Sequence, residues 1–211
     1  MRRRFSVGTG AAATLLAALA TQAQENAAYA IAGAQSKLEI HVYKEGMFKA
    51  FGHDHLIAAK EISGEARFDE KKIEESMVRL QIATKSLTVV DPGESEKDRT
   101  EVQATMAGEK VLDVGKFPEI SFASTGISGA KKGTEGSELT ISGKLKLHGV
   151  EKTVSFPLHV RAANEELRGE GEISILQSDY GITPVKVGGG TVKVKDKLKI
   201  SFTIVATKSN R

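Results

Sequence analysis

Two histidines separated by a single residue are candidate ligands for a metal ion. They lie in the segment Phe51-Gly52-His53-Asp54-His55. In an extended chain, residues i and i+2 point to the same side, and a pair of imidazoles suits zinc or copper. Asp54 between two histidines also allows general acid–base chemistry. The segment therefore raises the hypothesis of a metal-dependent site at His53, Asp54 and His55 with a redox or hydrolytic role, although a polar turn of this composition needs no ligand.

Other signatures of catalysis are missing from the sequence. The chain has no cysteine, which excludes disulfides, thiolate zinc sites and cysteine nucleophiles. It also has no G-x-S-x-G elbow, H-E-x-x-H helix, P-loop or dinucleotide fingerprint. No third ligand is spaced informatively from the histidine pair, and we expect His148 and His159 to be solvated on polar strand faces. We therefore expect a binding protein rather than an enzyme, with no metal or other cofactor.

Residues 1–20 have the composition of an export signal. Arg2, Arg3 and Arg4 precede a short apolar run over 11–20, which ends in the cleavage pattern Ala-Leu-Ala. We expect cleavage after Ala20, or else after Ala23, with 21–28 as a linker. The run is shorter than the roughly 20 residues that span a bilayer. The sequence predicts a periplasmic protein without a transmembrane segment, exported by Sec in preference to the twin-arginine route.

The chain that remains after removal of this leader is electrically neutral. The whole sequence has 30 basic and 27 acidic residues, and the leader takes three arginines and no acid with it, leaving 27 of each. Five lysines over 186–199 alternate with apolar residues, and no aromatic stacking group accompanies them. Nucleic-acid binding is therefore not expected.

Apolar and polar residues alternate along most of the chain, which positions the candidate residues on strands. The alternation is found over eight segments: 38–42, 62–68, 78–82, 120–122, 139–147, 154–160, 167–175 and 198–204. One apolar face per strand is typical of antiparallel sheets. Gly149-Val150-Glu151-Lys152 is predicted to be a tight turn, 129–136 a polar loop, and 94–112 a short helical insert. An eight-stranded barrel and a two-sheet sandwich both fit this pattern.

Four segments resemble the motifs of the YceI-like family, in the family's order. Residues 116–125 (KFPEISFAST) are similar to its FP-x-I-x-F-x-S-T signature, and 143–154 (GKLKLHGVEKTV) to its G-x-L-x-x-x-G-V-x-K-x-V hairpin. Residues 178–182 (SDYGI) resemble its D-[FY]-G-I turn, and 85–88 (KSLT) its S-[IL]-[DT] strand end. The resemblance covers about residues 29–206, so the predicted domain is a YceI-like barrel over 29–207.

The resemblance implies a fold and a ligand class. The fold is an all-β, eight-stranded antiparallel, lipocalin-like barrel with one short helical insert, and the ligand is an isoprenoid lipid such as a polyprenol or isoprenoid quinone. Gln35, Gln103 and Gln177 stand where the family commonly has His, Asp and Arg, at positions suited to a headgroup. The sequence leaves open whether the protein is a monomer or a dimer, and allows transient membrane contact. It also leaves open an interaction module whose barrel is only a scaffold.

Large apolar residues on the inward strand faces are the candidate ligand-binding groups, because each buried methylene contributes about 0.8 kcal/mol. Met47, Phe48, Phe51 and Met106 are predicted to line the entrance, with His53 and His55 beside the headgroup. The full predicted set is Met47, Phe48, Phe51, Phe68, Leu80, Ile82, Met106, Phe122, Ile141, Phe156, Ile175 and Phe202.

Overall fold

The computed structural model of the chain describes residues 27–45, 54–187, 189 and 192–209. Over these residues one α-helix, α1 (Glu96–Ala107), accompanies twelve strands. The strands are β1 (Ala27–Ile31), β2 (Lys37–Glu45), β3 (His55–Ala59), β4 (Ile62–Phe68), β5 (Met77–Ala83), β6 (Leu87–Val89), β7 (Glu119–Gly133), β8 (Gly136–Leu147), β9 (Val150–Ala163), β10 (Glu166–Leu176), β11 (Lys186–Val187) and β12 (Val192–Lys208).

Eight strands close into an antiparallel barrel, as the sequence predicted. The ring runs β1-β4-β5-β7-β8-β9-β10-β12, and β12 returns to β1 through the pair Ile31 and Ala206. At the opposite end of β12, the ladder continues instead to β2, β3 and β6. The pairs β1–β2, β3–β4 and β5–β6 are therefore successive parts of three long, bent strands. Closure pairs β12 with β1, so the ring has no free edge where these two strands meet.

Two hairpin turns have the left-handed backbone that suits the twist of their flanking strands. One lies at His148 (φ 50°) and Gly149 (φ 77°), and the other at Asn164 (φ 50°) and Glu165 (φ 65°). The first turn is thus one residue earlier than predicted, and β9 already begins at Val150. The predicted polar loop over 129–136 is also wrong, because most of it belongs to β7 and β8 and its turn is only residues 134–135.

The barrel wall has a seam between β9 and β10. Their ladder covers only the pairs from Glu166 with Ala163 to Gly171 with Leu158. Beyond Leu158, β9 continues to pair with β8 as far as Val150, and β10 continues to pair with β12 as far as Leu176. Leu176 borders this seam and is 40% exposed. The two strands therefore diverge although each remains paired on its other side.

Helix α1 occupies the connection between β6 and β7. Ser95 caps its first turn by accepting a hydrogen bond from the Asp98 backbone N–H at 3.1 Å, as expected for an N-cap serine. Met106 is its buried side chain and faces the barrel interior. The predicted insert over 94–112 therefore contains the helix. Within the described parts of the chain, α1 and the shorter helices lack the length and apolar character needed to cross a bilayer.

Candidate functional site

An apolar cavity of about 520 Å³ lies inside the barrel, and we call it the lumen. This volume lies in the range of small-molecule sites, roughly 300–1,000 Å³. Nine residues predicted to contact a ligand line it: Phe68, Leu80, Ile82, Met106, Phe122, Ile141, Phe156, Ile175 and Phe202. Met47, Phe48 and Phe51, the other three, lie outside the described residues. Contact with a ligand stays a prediction for all twelve.

Three phenylalanines meet in the middle of the lumen. The ring centroid of Phe156 lies 5.7 Å from that of Phe122 and 5.7 Å from that of Phe202. Gly143 and Gly171 make room for two of these rings, because a Cβ at either position would come within 3 Å of a ring atom of Phe122 or Phe202. The inward glycines of β8 and β10 therefore let aromatic rings lie against the barrel wall, instead of filling its axis.

At one end of the lumen, the lining side chains pack against the connection between β4 and β5. Ile73, in a short 3-10 helix of this connection, is 7% exposed. It belongs to an apolar cluster with Leu139, Ile141 and Val160, all buried.

The opposite end, which we call the mouth, is covered by α1. Gln103 attaches the helix to β6: its side-chain oxygen accepts from the Val89 N–H, and its amide donates to the Leu87 carbonyl, both at 2.9 Å. On the inner side, Val102 and Met106 line the lumen. Gln103 therefore fixes the cover of the mouth to the barrel.

A histidine–carboxylate pair lies at the mouth. His55 begins β3 and pairs across the ladder with Val42, whose side chain also lines the lumen. The His55 Nδ1 atom is 2.7 Å from Oδ2 of Asp91, a carboxylate only 4% exposed, and the other Asp91 oxygen accepts from the Leu56 N–H. Sequence reasoning missed Asp91, because 36 residues separate it from His55. The only sign of Asp91 in the sequence was an aspartate that closely follows an apolar segment.

The residues around His55 test part of the hypothesis of a metal site at His53, Asp54 and His55. Asp54 accepts a hydrogen bond from the Lys44 backbone N–H at 2.9 Å. Among the described residues there is no group of three or more histidine and acidic side chains that could hold an ion. His53, the other candidate ligand, lies outside these residues, so its role stays untested.

Of the two histidines predicted to lie on polar strand faces, His159 does so and His148 does not. His148 is in the turn after β8, not on a strand face, and it is half-buried. Its ring lies 4.4 Å from that of Phe117, and its Nδ1 is 3.2 Å from the Tyr180 carbonyl oxygen. The prediction of a solvated His148 is therefore wrong. His159 is on the outer face, where its Nδ1 is 2.7 Å from Oε1 of Glu138.

Gln177 and Tyr180 organise the segment after β10. Gln177 is 5% exposed and its amide donates to the Lys195 carbonyl at 2.9 Å, beside the point where the β2–β12 register shifts. Tyr180 is 1% exposed. Burial, with a smaller effect from the Asp179 charge, raises the pKa of the Tyr180 phenol. Gln177 is therefore part of the wall's hydrogen bonding, whereas Gln35 is exposed on the outside.

Comparison with known proteins agrees with this architecture. Residues 29–206 match the model of the YceI-like domain. Protein YceI of Salmonella newport strain SL254 is 32% identical over 165 residues, which cover 72% of this chain and 80% of that protein. Protein YceI of Salmonella arizonae is 31% identical over 150 residues, covering 68% of this chain and 72% of the relative.

Two solved structures have the same fold. BcnA of Burkholderia cenocepacia superposes with a TM-score of 0.66 at 23% identity, covering 84% of this chain and 99% of BcnA. A polyisoprenoid binding domain from Saccharophagus degradans gives a TM-score of 0.60 at 14% identity, covering 87% of this chain and 99% of that domain. The closed barrel and the insert helix agree with the fold that the sequence motifs implied. Because the family model matches residues 29–206, this chain belongs to the YceI-like family.

Proposed function

We propose that this protein binds an isoprenoid lipid in its lumen, and carries or sequesters the lipid without transforming it. The observation that carries the proposal is the 520 Å³ apolar cavity inside a closed barrel. A similarly folded protein is described as a polyisoprenoid binding domain, which supports the same ligand class here. Because each buried methylene contributes about 0.8 kcal/mol, a tail gains affinity from the apolar wall with few polar contacts.

The proposed place of action is the periplasm. The basic and apolar composition of residues 1–20 supports export, and the charge balance of the remaining chain supports a protein that is attracted to neither nucleic acid nor anionic surfaces. The proposed role is thus to hold a water-insoluble tail while it is away from a membrane.

Extraction of the protein's own ligand tests this proposal. The full chain is expressed with its leader, recovered from the periplasm without detergent, and examined by native mass spectrometry before and after organic extraction. We expect an adduct with the mass of a polyprenol or isoprenoid quinone. A protein that carries no adduct and takes up neither class of lipid from vesicles overturns the proposal.

A variant that fills the lumen sharpens the test. A Cβ at Gly169 would meet only Leu158, at 3.6 Å, so this inward position has room for a larger side chain. Gly169→Trp should shorten the longest tail that binds, whereas Glu170→Trp, which places the same group on the outer face, should not. Since the chain has no tryptophan, the new indole also reports lipid uptake by its fluorescence. Equal tail-length limits for the two variants would place the ligand outside the lumen.

A further inference from the structure

His55 stands at the boundary between the lumen and the protein surface. It lines the lumen together with Val42 and Met106. It also lines a shallow outer pocket at the mouth, which includes His41, Tyr43 and Asp91. The His55 side chain is 22% exposed, so a ligand whose tail fills the lumen would bring its head past this imidazole.

Asp91 determines which atom of the imidazole is available to a ligand. Its two oxygens hold the His55 ring and the Leu56 N–H, and a carboxylate can only accept hydrogen bonds. In the neutral form of the imidazole the hydrogen is therefore on Nδ1, and Nε2 has a lone pair that can accept a hydrogen bond. In the described part of the chain, no hydrogen bond to this Nε2 atom is formed. The ring thus presents an acceptor to the ligand head.

Charges at the mouth argue against an anionic head. Asp54, Asp91 and Glu94 line the outer pocket beside His55, and Lys44 is the lysine that lines it with them. Lys193, which lines the lumen at this end, is 3.0 Å from the Glu45 carboxylate and so is already paired. A phosphate would have to approach three carboxylates that outnumber Lys44, whereas a neutral hydroxyl would not be repelled.

Building on the proposed function, we propose that Nε2 of His55 accepts a hydrogen bond from a hydroxyl group at the head of the isoprenoid ligand. Asp91 is the positioning residue that keeps the imidazole in this tautomer. The ligand class is an isoprenoid with a hydroxyl donor, either a polyprenol or the hydroquinone form of a quinone. The protein thereby favours lipids whose head donates a hydrogen bond over lipids whose head can only accept one.

Two pairs of probes isolate that hydrogen bond. Geranylgeraniol and geranylgeranyl acetate share a tail, but only the alcohol can donate. A short-chain ubiquinone and its dithionite-reduced hydroquinone differ in the same way, and the reductant has no disulfide to attack because the chain lacks cysteine. Competition in native mass spectrometry should show about a two- to thirteenfold preference for each hydroxyl form, the range of one net hydrogen bond. The stronger of the two preferences identifies the alcohol or the hydroquinone as the better source.

Three variants give the proposal a signature that a structural role would not produce. His55→Phe keeps a ring at the mouth without an acceptor, and should remove both preferences. In Asp91→Asn the new oxygen still accepts from the Leu56 N–H, while its NH₂ donates to Nδ1 of His55 and moves the ring hydrogen to Nε2. This variant should therefore reverse the preference, toward ubiquinone. His159→Ala removes an equally short histidine–carboxylate pair, 2.7 Å to Glu138, from the outer face and should change neither preference.

Each result distinguishes this proposal from the more general one. If wild type binds donors and non-donors equally, or if His55→Phe keeps the preference, the headgroup assignment is overturned while lipid binding stands. If Asp91→Asn still folds by its thermal transition and continues to prefer the hydroquinone, the positioning role is overturned. If no isoprenoid binds at all, the proposed function fails and this inference fails with it.

Discussion

Gly143 lies directly against the ring of Phe122: a Cβ built on Gly143 would be 2.4 Å from the Phe122 Cζ atom. The backbone of Ala123 closes the space on the other side, since its carbonyl oxygen would be 2.6 Å from the same Cβ. The Phe122 ring therefore occupies the space that a side chain at position 143 would need. The aromatic residue on β7 thus requires a glycine at this position of β8.

Gly143→Ala is expected to lower the free energy of unfolding by about 1–3 kcal/mol, because the added methyl group overpacks the wall and moves the ring. Chemical denaturation of wild type and variant measures the change. Gly169→Ala is the matched control: it is also an inward glycine, but its Cβ has ordinary contact distances. That variant should be neutral, or more stable by up to about 1 kcal/mol. Equal losses in both variants would contradict the role of the ring.

Gln35, Gln103 and Gln177 should differ in their effect on stability. Gln103→Ala and Gln177→Ala each remove hydrogen bonds to the backbone, and should cost about 1–3 kcal/mol. Gln35→Ala changes an exposed side chain and should cost less than about 0.5 kcal/mol. Thermal and denaturant unfolding of the three variants checks the order. A cost for Gln35→Ala as large as for Gln103→Ala would contradict it.

Stability should fall at alkaline pH through the buried tyrosines. Burial raises the pKa of Tyr180 and Tyr29 above the ordinary value of 10.0, so the folded state holds the phenol proton more tightly than the unfolded state does. This contribution is complete below about pH 10 and is lost as the pH rises through the folded pKa. Tyr29→Phe/Tyr180→Phe should therefore flatten the decline in unfolding free energy above pH 10. Parallel curves for variant and wild type would contradict this.

Amide hydrogens along the β9–β10 seam should exchange in an alternating pattern. Successive residues of an antiparallel strand point their N–H groups to opposite neighbours. Between Val150 and Phe156, the amides that face β8 should be protected, and those that face the seam should exchange quickly. From Leu158 to Val160, where β9 is paired with both β8 and β10, all amides should be protected. Exchange followed by NMR measures this, and uniform protection along β9 would mean that the seam is closed in solution.

The strand pattern was the most predictable part of the fold. All eight alternating segments lie in strands of the barrel. The pleat of a strand points every second side chain inward, and the side chains that point inward must be apolar. Closure was not readable from alternation, which a sandwich shares, and needed the family motifs. The loop predicted over 129–136 was wrong because its glycines were read as turn residues. In the structure, Gly129 has a left-handed backbone inside β7, where the register with β8 shifts.

The candidate site was predictable only where it follows from the strand faces. Phe122, Phe156 and Phe202 were found because inward position and large apolar volume are both visible in the sequence. Asp91 was not found, because its contact with His55 depends on the β3–β6 ladder and not on local spacing. The turn after β8 was predicted one residue too late in the chain. His148 was therefore expected on the outer face of a strand, whereas it lies in the turn, against Phe117.

The pairing of β1 with β12 also sets the order of events in time. Ile31 pairs with Ala206, so β1 lacks one of its two neighbouring strands until β12 is available. A chain delivered from its N-terminus, whether by the ribosome or through a translocation pore, cannot complete the circle before nearly all of it has emerged. Until then the lumen has no enclosed interior. The enclosed lumen therefore forms only when the final strand arrives.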